Sequence, residues 1–302
     1  MSVNDSQQVV GNFWSPSSLG QAFLWQNGVV AYLDGLDANK PSYAMSINNN
    51  GVIVGSSVPK NKNRQHATEW LNGSVINLHP DNDIYDREGL ATSINSQGSI
   101  TGYENDNSFI SYSNEGKRWI YDFQSHSINN SEKIVGSTSN HRAAYWTVSS
   151  GLQIIGPPSS VATSINDLDE IAGSTFLDQS WIWQNGIFQN LGIFSWTKYI
   201  IANHINNKSQ IVGEIRSSDN TGTIGGFLWQ GGVLSDLNSL ISPDQNWYVL
   251  TAFDINDNGD IVGYGIHNGQ QTGFLMTPVP EPSSLLALYG GVAGLLAFRR
   301  RR

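Results

Sequence analysis

SINNNGVIVGSS (46–57) determines the architecture of this chain, because closely similar stretches recur along most of its length. The other copies are SVNDSQQVVGNF (2–13), SINSQGSITGYE (93–104), SINNSEKIVGST (127–138), SINDLDEIAGST (164–175), HINNKSQIVGEI (204–215) and DINDNGDIVGYG (254–265). The asparagine after the Ile or Val falls at positions 4, 48, 95, 129, 166, 206 and 256, a mean spacing of about 42 residues. A repeat of this length is typical of propellers and solenoids.

A second block follows each copy of the first. It is AFLWQNG (22–28), ATEWLNG (67–73), SFISYSNEG (108–116), AAYWTVSSG (143–151), SWIWQNG (180–186), GFLWQGG (226–232) and a shortened GFLM (273–276). Short apolar runs bounded by Asn, Asp, Gly and Ser indicate strands. The Asn-Gly pairs at 27–28, 72–73 and 185–186 predict tight hairpins, because a type I′ turn needs a positive φ at both central residues.

Each unit therefore contains four short antiparallel strands: Ser-Ile-Asn, Ile-Val-Gly, Phe-Leu-Trp and Val-x-x-Leu. A four-stranded unit of this length is typical of a propeller blade. Neighbouring units must stack, because one such sheet cannot bury both of its faces alone. The sequence predicts an all-β fold, a β-propeller of about seven four-stranded blades. A β-solenoid or an open sandwich array is the alternative.

The repeated unit resembles the HAF-type bacterial extracellular repeat, named after a His-Ala-Phe stretch before the tryptophan. That stretch is degenerate here, as Gln21-Ala22-Phe23, His66-Ala67-Thr68 and His141-Arg142-Ala143. The resemblance covers residues 2 to about 276 and implies no particular chemistry. We expect residues 1–277 to form the repeat propeller, with units starting near 2, 46, 93, 127, 164, 204 and 254.

The last 24 residues, VPEPSSLLALYGGVAGLLAFRRRR (279–302), resemble the PEP-CTERM sorting signal of exopolysaccharide-producing Gram-negative bacteria. The motif residues are Val279, Pro280, Glu281 and Pro282, and the closing basic cluster is Arg299, Arg300, Arg301 and Arg302. The apolar run between them, 285–298, predicts a short hydrophobic helix, although a durable membrane span needs about 20 residues. The domain 278–302 is therefore expected to be a sorting segment.

The resemblance implies recognition and cleavage by an exosortase-type enzyme. The arginines would hold the C-terminus in the cytoplasm while the apolar run inserts transiently in the inner membrane. The protein would then reach the cell surface or the extracellular polysaccharide matrix. A permanent membrane anchor is the alternative, but it leaves the Pro-Glu-Pro sequence unexplained.

The N-terminus, MSVNDSQQVVGNFW, has neither the basic region nor the apolar region of a signal peptide. The last repeat also lacks its Val-x-x-Leu strand, and the first begins with a stub of Ser-Val-Asn. We therefore hypothesise that Met1 is internal to the true reading frame or that the gene is truncated. An early upstream stop codon with no encoded apolar segment would contradict this hypothesis.

Composition limits the partners. The net charge is −9, and outside the four terminal arginines 12 basic residues stand against 25 acidic ones. Such a body is repelled by nucleic-acid phosphates, so nucleic acid is not an expected partner. There is no cysteine, which excludes disulfides, thiolate metal sites and a cysteine nucleophile.

Catalytic motifs are absent from the sequence, and no cofactor is expected. The stretch DINDNG (254–259) matches the start of an EF-hand loop, but the twelfth position is Gly265 where a bidentate Glu is needed. Asn and Asp are also the residues that tight turns prefer. The minority interpretation is a weak calcium site formed by Asp254, Asn256, Asn258 and Asp260.

Tryptophan is the most suggestive residue type. Five of the ten occupy the repeat position and are expected to pack inside the blades, while Trp196 and Trp247 lie in longer connections. These two could stack on sugar rings, or they could fill the surface between blades. We expect an exported, non-enzymatic protein with a binding or structural role. The alternatives are a carbohydrate-binding propeller and a polysaccharide-active enzyme.

Overall fold

A computed structural model describes residues 1–15, 18–79, 86–112, 116–176, 179–197, 199–217 and 222–279 of the 302-residue chain. The regular elements of these residues are 27 β-strands and two short 3₁₀ helices, so the all-β prediction is confirmed. The 3₁₀ helices span Leu237–Leu240 and Pro243–Gln245. No helix in these described ranges is long and apolar enough to cross a membrane. The predicted C-terminal helix falls outside them.

The strands follow the repeat unit by unit. The first unit contains β1 (Ser2–Val3), β2 (Val9–Ser15), β3 (Ser18–Gln26) and β4 (Val29–Leu33). The second contains β5 (Ser42–Ile47), β6 (Ile53–Ser57), β7 (His66–Leu71) and β8 (Ser74–Asn77). The third contains β9 (Gly89–Ile94), β10 (Ile100–Glu104), β11 (Asn107–Tyr112) and β12 (Gly116–Ile120). The fourth contains β13 (Phe123–Ile128), β14 (Ile134–Thr138), β15 (Arg142–Thr147) and β16 (Gly151–Pro158).

The remaining strands complete the series. The fifth unit contains β17 (Ser160–Ile165), β18 (Ile171–Thr175), β19 (Ser180–Gln184) and β20 (Ile187–Asn190). The sixth contains β21 (Tyr199–Ile205), β22 (Ile211–Arg216), β23 (Thr223–Gln230) and β24 (Val233–Asp236). The seventh contains β25 (Trp247–Ile255), β26 (Ile261–His267) and β27 (Gln270–Met276). Neighbouring strands within each unit pair antiparallel in chain order, and a single residue pair, Glu214–Thr251, joins the sixth sheet to the seventh.

The units form a closed ring. The first strand of each unit contacts the first strand of the next, and β25 of the seventh unit contacts β1 of the first. Seven buried apolar clusters lie between the seven neighbouring pairs of units. The cluster that closes the ring contains Val3 and Val9 from the first unit and Val262 from the seventh. The core is therefore divided among the junctions, as stacked sheets require, and the propeller-like arrangement is confirmed.

The glycine of Ile-Val-Gly is needed because its strand meets a β-bulge in the first strand of the same unit. In the fourth unit the register of β13 shifts between Ser125 and Ser127. The bulge brings the Gln124 carbonyl oxygen against Gly136, where any Cβ would overlap it. This close approach explains why the glycine recurs.

The ring has two different faces. The turn face carries the short turns from the first strand to the second and from the third strand to the fourth. Asn27 and Gly28 have φ values of 51° and 82° there, as the predicted hairpin requires. The connection face carries the loops between the second and third strands and the connections between units, such as residues 34–41 and 58–65.

Candidate functional site

The repeated asparagine holds the turn in its own unit. In the third unit Asn95 Oδ1 accepts hydrogen bonds from the N–H groups of Gln97 and Ser99, at 3.0 and 2.9 Å. Equivalent pairs of bonds occur at all seven asparagines, whose residues are only 2–6% exposed. An Asn side chain that accepts hydrogen bonds from the backbone two and four residues later stabilises a tight turn. It also gives a hydrogen-bond partner to backbone N–H groups that would otherwise be buried without one.

The same side chain also links each unit to the next. Asn95 Nδ2 donates to the backbone oxygen of Asn129 at 3.0 Å, and Asn129 Nδ2 donates in turn to that of Asn166 at 3.1 Å. The pattern continues without a gap to Asn256, whose Nδ2 donates to the Asn4 oxygen at 2.9 Å. Seven bonds thus form a closed cycle around the turn face. We call these seven residues the asparagine ring.

The asparagine ring surrounds a central channel lined by all seven units. The residue two positions before each asparagine is Ser2, Ser46, Ser93, Ser127, Ser164, His204 or Asp254. In the fifth unit Ser164 Oγ accepts the Ile205 N–H of the next unit at 3.3 Å, and Asp254 accepts the Val3 N–H across the closing junction at 2.9 Å. His204 and Asp254 therefore interrupt a ring of five serines.

His204 and Asp254 form an ion pair, with Nδ1 and Oδ1 2.8 Å apart. Burial acts to raise the pKa of Asp254, but the charge of His204 and hydrogen bonds from His204, Ser2 and Val3 lower it to about 2. Burial acts to lower the pKa of His204, but the attraction of Asp254 outweighs it and raises the pKa. The His204 side chain is 35% exposed, towards the channel. The pair joins the sixth and seventh units, and the bond from Val3 to Asp254 extends it to the first.

The four calcium candidates are already engaged with protein groups. Asn256 Oδ1 accepts from the Asn258 and Asp260 N–H groups, and Asn256 Nδ2 donates to Asp260 at 2.9 Å. Asp254 pairs with His204. Within the described part of the chain, no group of three or more His, Asp or Glu residues could hold a metal ion. The turn interpretation accounts for these residues.

Exposed aromatic side chains mark the connection face. Trp196 lies in the connection between the fifth and sixth units, is 52% exposed, and stacks on Phe194 with ring centroids 5.2 Å apart. Trp14, at the end of β2, is 68% exposed and lies 5.4 Å from the Tyr43 ring. Trp247 instead begins β25, is half-buried, and stacks on His267 at 4.5 Å. The two predicted tryptophans therefore differ, because only Trp196 offers a largely open ring.

A buried charged cluster lies under the connection face between the second and third units. Lys117 contacts the carboxylate of Glu104, whose side chain is 1% exposed, and His79 lies 3.2 Å from the same carboxylate. Burial acts to raise the pKa of Glu104, but His79 and Lys117 lower it. His79 stacks on His66, and burial together with the charge of His79 lowers the pKa of His66. None of the other units carries an acid at the position of Glu104.

Some of these features were not predictable as sites. Trp14 does not occupy the repeat position of the tryptophans, but its exposure depends on where β2 ends. His204 and Asp254 could have been found from the replacement of serine in two adjacent units. Glu104 also departs from the repeat, but no sequence pattern connects it to His79 and Lys117. Among the sorting residues, Val279 is 87% exposed, whereas residues 280–302 lie outside the described ranges.

Comparisons with solved structures support the fold. The selenomethionine-substituted virginiamycin B lyase of Staphylococcus aureus is similar, with 11% identity and a TM-score of 0.55 over 89% of this chain and 94% of the lyase. A catalytically inactive variant of that lyase with quinupristin gives 10% identity and a TM-score of 0.56 over 91% and 97%. At such identity the likeness concerns the fold alone.

Comparisons with sequences address the family. No curated protein matches the chain. Residues 278–302 match the PEP-CTERM protein-sorting motif, a signal for export and exosortase processing. The HAF-type resemblance is not shown by any match and stays a hypothesis. Residues 32–273 match the family described as "Protein of unknown function (DUF3466)", and the chain belongs to that family.

Proposed function

We propose that this protein is an exported, non-enzymatic binding protein whose connection face binds polysaccharide at the cell surface or in the extracellular matrix. Residues 1–277 would form the binding ring, and residues 278–302 would be the sorting segment that exosortase removes after transient membrane insertion. The sorting motif supports export. The fold provides a rigid ring with loops gathered on one side.

The exposed tryptophans carry this proposal. Trp14 and Trp196 are the two tryptophans that are more than half exposed, and both lie on the connection face. Each contacts a second aromatic ring, which limits the orientations available to its side chain. A flat aromatic face held in place is suited to stacking against the apolar face of a sugar ring, since both surfaces lose water on contact.

The turn face is less suited to ligand binding than the connection face. The asparagine side chains there are fully used in holding turns and joining neighbouring units. A ligand would have to replace these buried hydrogen bonds, which is costly. The turn face therefore serves as the scaffold.

Affinity electrophoresis in gels containing neutral or acidic polysaccharides tests the binding proposal. We expect retardation of the wild-type protein, and reduced retardation of Trp14→Ala and Trp196→Ala. Leu168→Ala provides the control, because Leu168 is 54% exposed on the turn face. Equal retardation of all three variants and the wild type would refute the role of the aromatic rings. The same polymers are also measured for chain length, since shortening by the protein would favour a polysaccharide-active enzyme.

Mass spectrometry of the secreted protein tests the sorting proposal. Cells with and without the sorting enzyme are fractionated, and the C-terminal peptide is sequenced in each fraction. We expect loss of Arg302 only where the enzyme is present. An intact Arg302 on secreted protein from cells with the enzyme would contradict processing.

A further inference from the structure

The seventh unit differs from the other six in its outer strand. In the other units a fourth strand pairs with the third, as β24 pairs with β23 in the sixth unit. Within the described ranges β27 is the last strand of its sheet, and it pairs with β26 alone. One row of its backbone N–H and C=O groups therefore has no described strand beside it. Such an edge is a template for pairing with another chain.

The apolar side chains of β27 are less covered than their equivalents. Phe274 and Met276 are half-buried, whereas Phe227 and Trp229, at the same positions of the sixth unit, are 0% and 5% exposed. Among the described residues, the cluster that closes the ring contains three buried residues, and each of the other six clusters contains six or more. A further strand on β27 would remove apolar surface from water, which favours association.

Met1 fills one part of the space beside the seventh unit. In the sixth unit Leu237, which follows the fourth strand, lies against Gly226. Gly273 is the equivalent glycine of the seventh unit, and the Met1 side chain lies against it. Met1 thus occupies the position that a leucine after a fourth strand would take. A strand that binds β27 therefore has to cover its edge without placing a leucine there.

The sequence of β27 suits pairing with an identical strand. Natural sheet edges are commonly protected by lysine, proline or a β-bulge. Residues 268–277 contain no charged residue and no proline, and β26 and β27 pair without a shift in register. Two acidic bodies repel each other, but an uncharged strand adds nothing to that repulsion. A second copy of the chain needs the same strand and offers an uncharged one, so it is the occupant that these features favour.

The positions of the apolar residues favour one register. Two identical antiparallel strands are related by a two-fold axis, so one residue lies opposite its own copy. With Leu275 on the axis, Phe274 lies opposite the partner's Met276, and apolar residues are paired on both faces of the sheet. With Gly273 on the axis, Phe274 would lie opposite the partner's Thr272 and would lose its apolar partner.

We propose that the outer edge of β27 binds the same strand of a second copy of this chain, antiparallel and centred on Leu275. Each copy then supplies the fourth strand that the seventh unit of the other lacks. The interface is isologous, so it closes as a dimer and does not continue as a filament. It uses residues 273–277 and none of the tryptophans that are proposed to bind polysaccharide.

Disulfide crosslinking of the full chain in a nonionic detergent tests the pairing. The chain has no cysteine, so each variant carries a single thiol. Most of Leu275→Cys should form a dimer on oxidation, because residues opposite each other on antiparallel strands lie within the reach of a disulfide. Gln271→Cys should form little, since the two copies of residue 271 would be about 27 Å apart. Gln189→Cys, on the exposed outer strand β20, is the control for random collision.

Thr277→Cys provides a second test that leaves β27 unchanged. Thr277 is exposed and follows the last residue of β27. In the proposed register its two copies lie about 13 Å apart, so a bismaleimide of that length should link them while direct oxidation should not. Thermal unfolding of the reduced proteins verifies that each variant folds. The yield of dimer should rise with salt, because salt screens the repulsion between the two acidic bodies.

Several results would overturn the proposal. Equal yields of dimer from Leu275→Cys and Gln189→Cys would show random collision. Crosslinking of Gln271→Cys but not of Leu275→Cys would contradict the register and the apolar pairs on which the proposal depends. A yield that falls with salt would show association through charges instead. No dimer from either Leu275→Cys or Thr277→Cys would leave the edge to a different occupant. None of these results changes the expectation for polysaccharide binding.

Discussion

The two faces of the ring use polar residues in opposite ways. On the turn face the same asparagine occurs seven times, and each copy makes the same bonds inside the protein. On the connection face the notable residues occur once each: the exposed Trp14 and Trp196, and the buried pair of Glu104 and Lys117. On the turn face repetition accompanies a structural role, whereas on the connection face the exposed tryptophans that depart from the repeat are the residues that we propose for binding.

The buried pair under the connection face gives the largest expected effect. Lys117→Met should destabilise the fold by about 3 to 5 kcal/mol, because it removes the ammonium group from the buried Glu104 carboxylate and leaves only His79 beside it. The free energy of unfolding is measured in urea. The double variant Lys117→Met/Glu104→Gln should recover much of the loss, since no uncompensated charge stays buried. A loss below about 1 kcal/mol in the single variant would show that the pair does not matter for folding.

Removing an asparagine of the asparagine ring has the next-largest expected effect on stability. Asn95→Ala should cost about 2 to 4 kcal/mol, because it removes the oxygen that accepts two backbone N–H groups and the amide that donates to Asn129. Denaturation in urea again provides the measurement. Ser96→Ala, an exposed neighbour in the same turn, should stay within about 0.5 kcal/mol. Equal effects of the two variants would contradict the structural role of the ring.

The ion pair of His204 and Asp254 in the channel predicts that the free energy of unfolding depends on pH. The pKa of Asp254 falls from 3.8 to about 2 on folding, so the carboxylate contributes roughly 2 kcal/mol that is present above pH 4 and lost as the pH falls towards 2. The raised pKa of His204 has the opposite sign, because its contribution is present below pH 6.5 and is lost as the pH rises through the raised value.

Asp254→Asn tests this dependence. The free energies of unfolding of the variant and the wild type should differ most between about pH 4 and 6.5, where both charges are present. The difference should shrink at lower pH. NMR titration should also show a lower pKa for His204 in the variant. Asp244→Asn, an exposed carboxylate, is the control. A pH-independent difference would show that the two groups do not interact.

The exposed tryptophans give the smallest effect on stability. Trp196→Ala should change the free energy of unfolding by less than about 1 kcal/mol, because the ring is more than half exposed. Its effect should appear in polysaccharide binding instead. A large loss of stability without loss of binding would place Trp196 in the scaffold, and the distinction between the faces would fail there.

More of the fold than of the candidate site could be predicted from the sequence. Strands, hairpins and the unit length follow from patterns within a dozen residues, such as Asn27-Gly28 and Ile53-Val54-Gly55. The link from Asn95 to Asn129 could not be predicted, because it joins residues 34 positions apart and depends on how units stack. The exposure of Trp14 and the burial of Trp247 were likewise decided by neighbours distant in sequence.

The central claim is that ligands bind the connection face while the turn face holds the ring together. Amide hydrogen exchange, measured with and without a bound polysaccharide, tests it most directly. We predict new protection in the loops of the connection face, including residues 58–65 and 191–197, and unchanged exchange in the turns at 48–51, 95–98 and 166–169. Protection confined to those turns would contradict the claim.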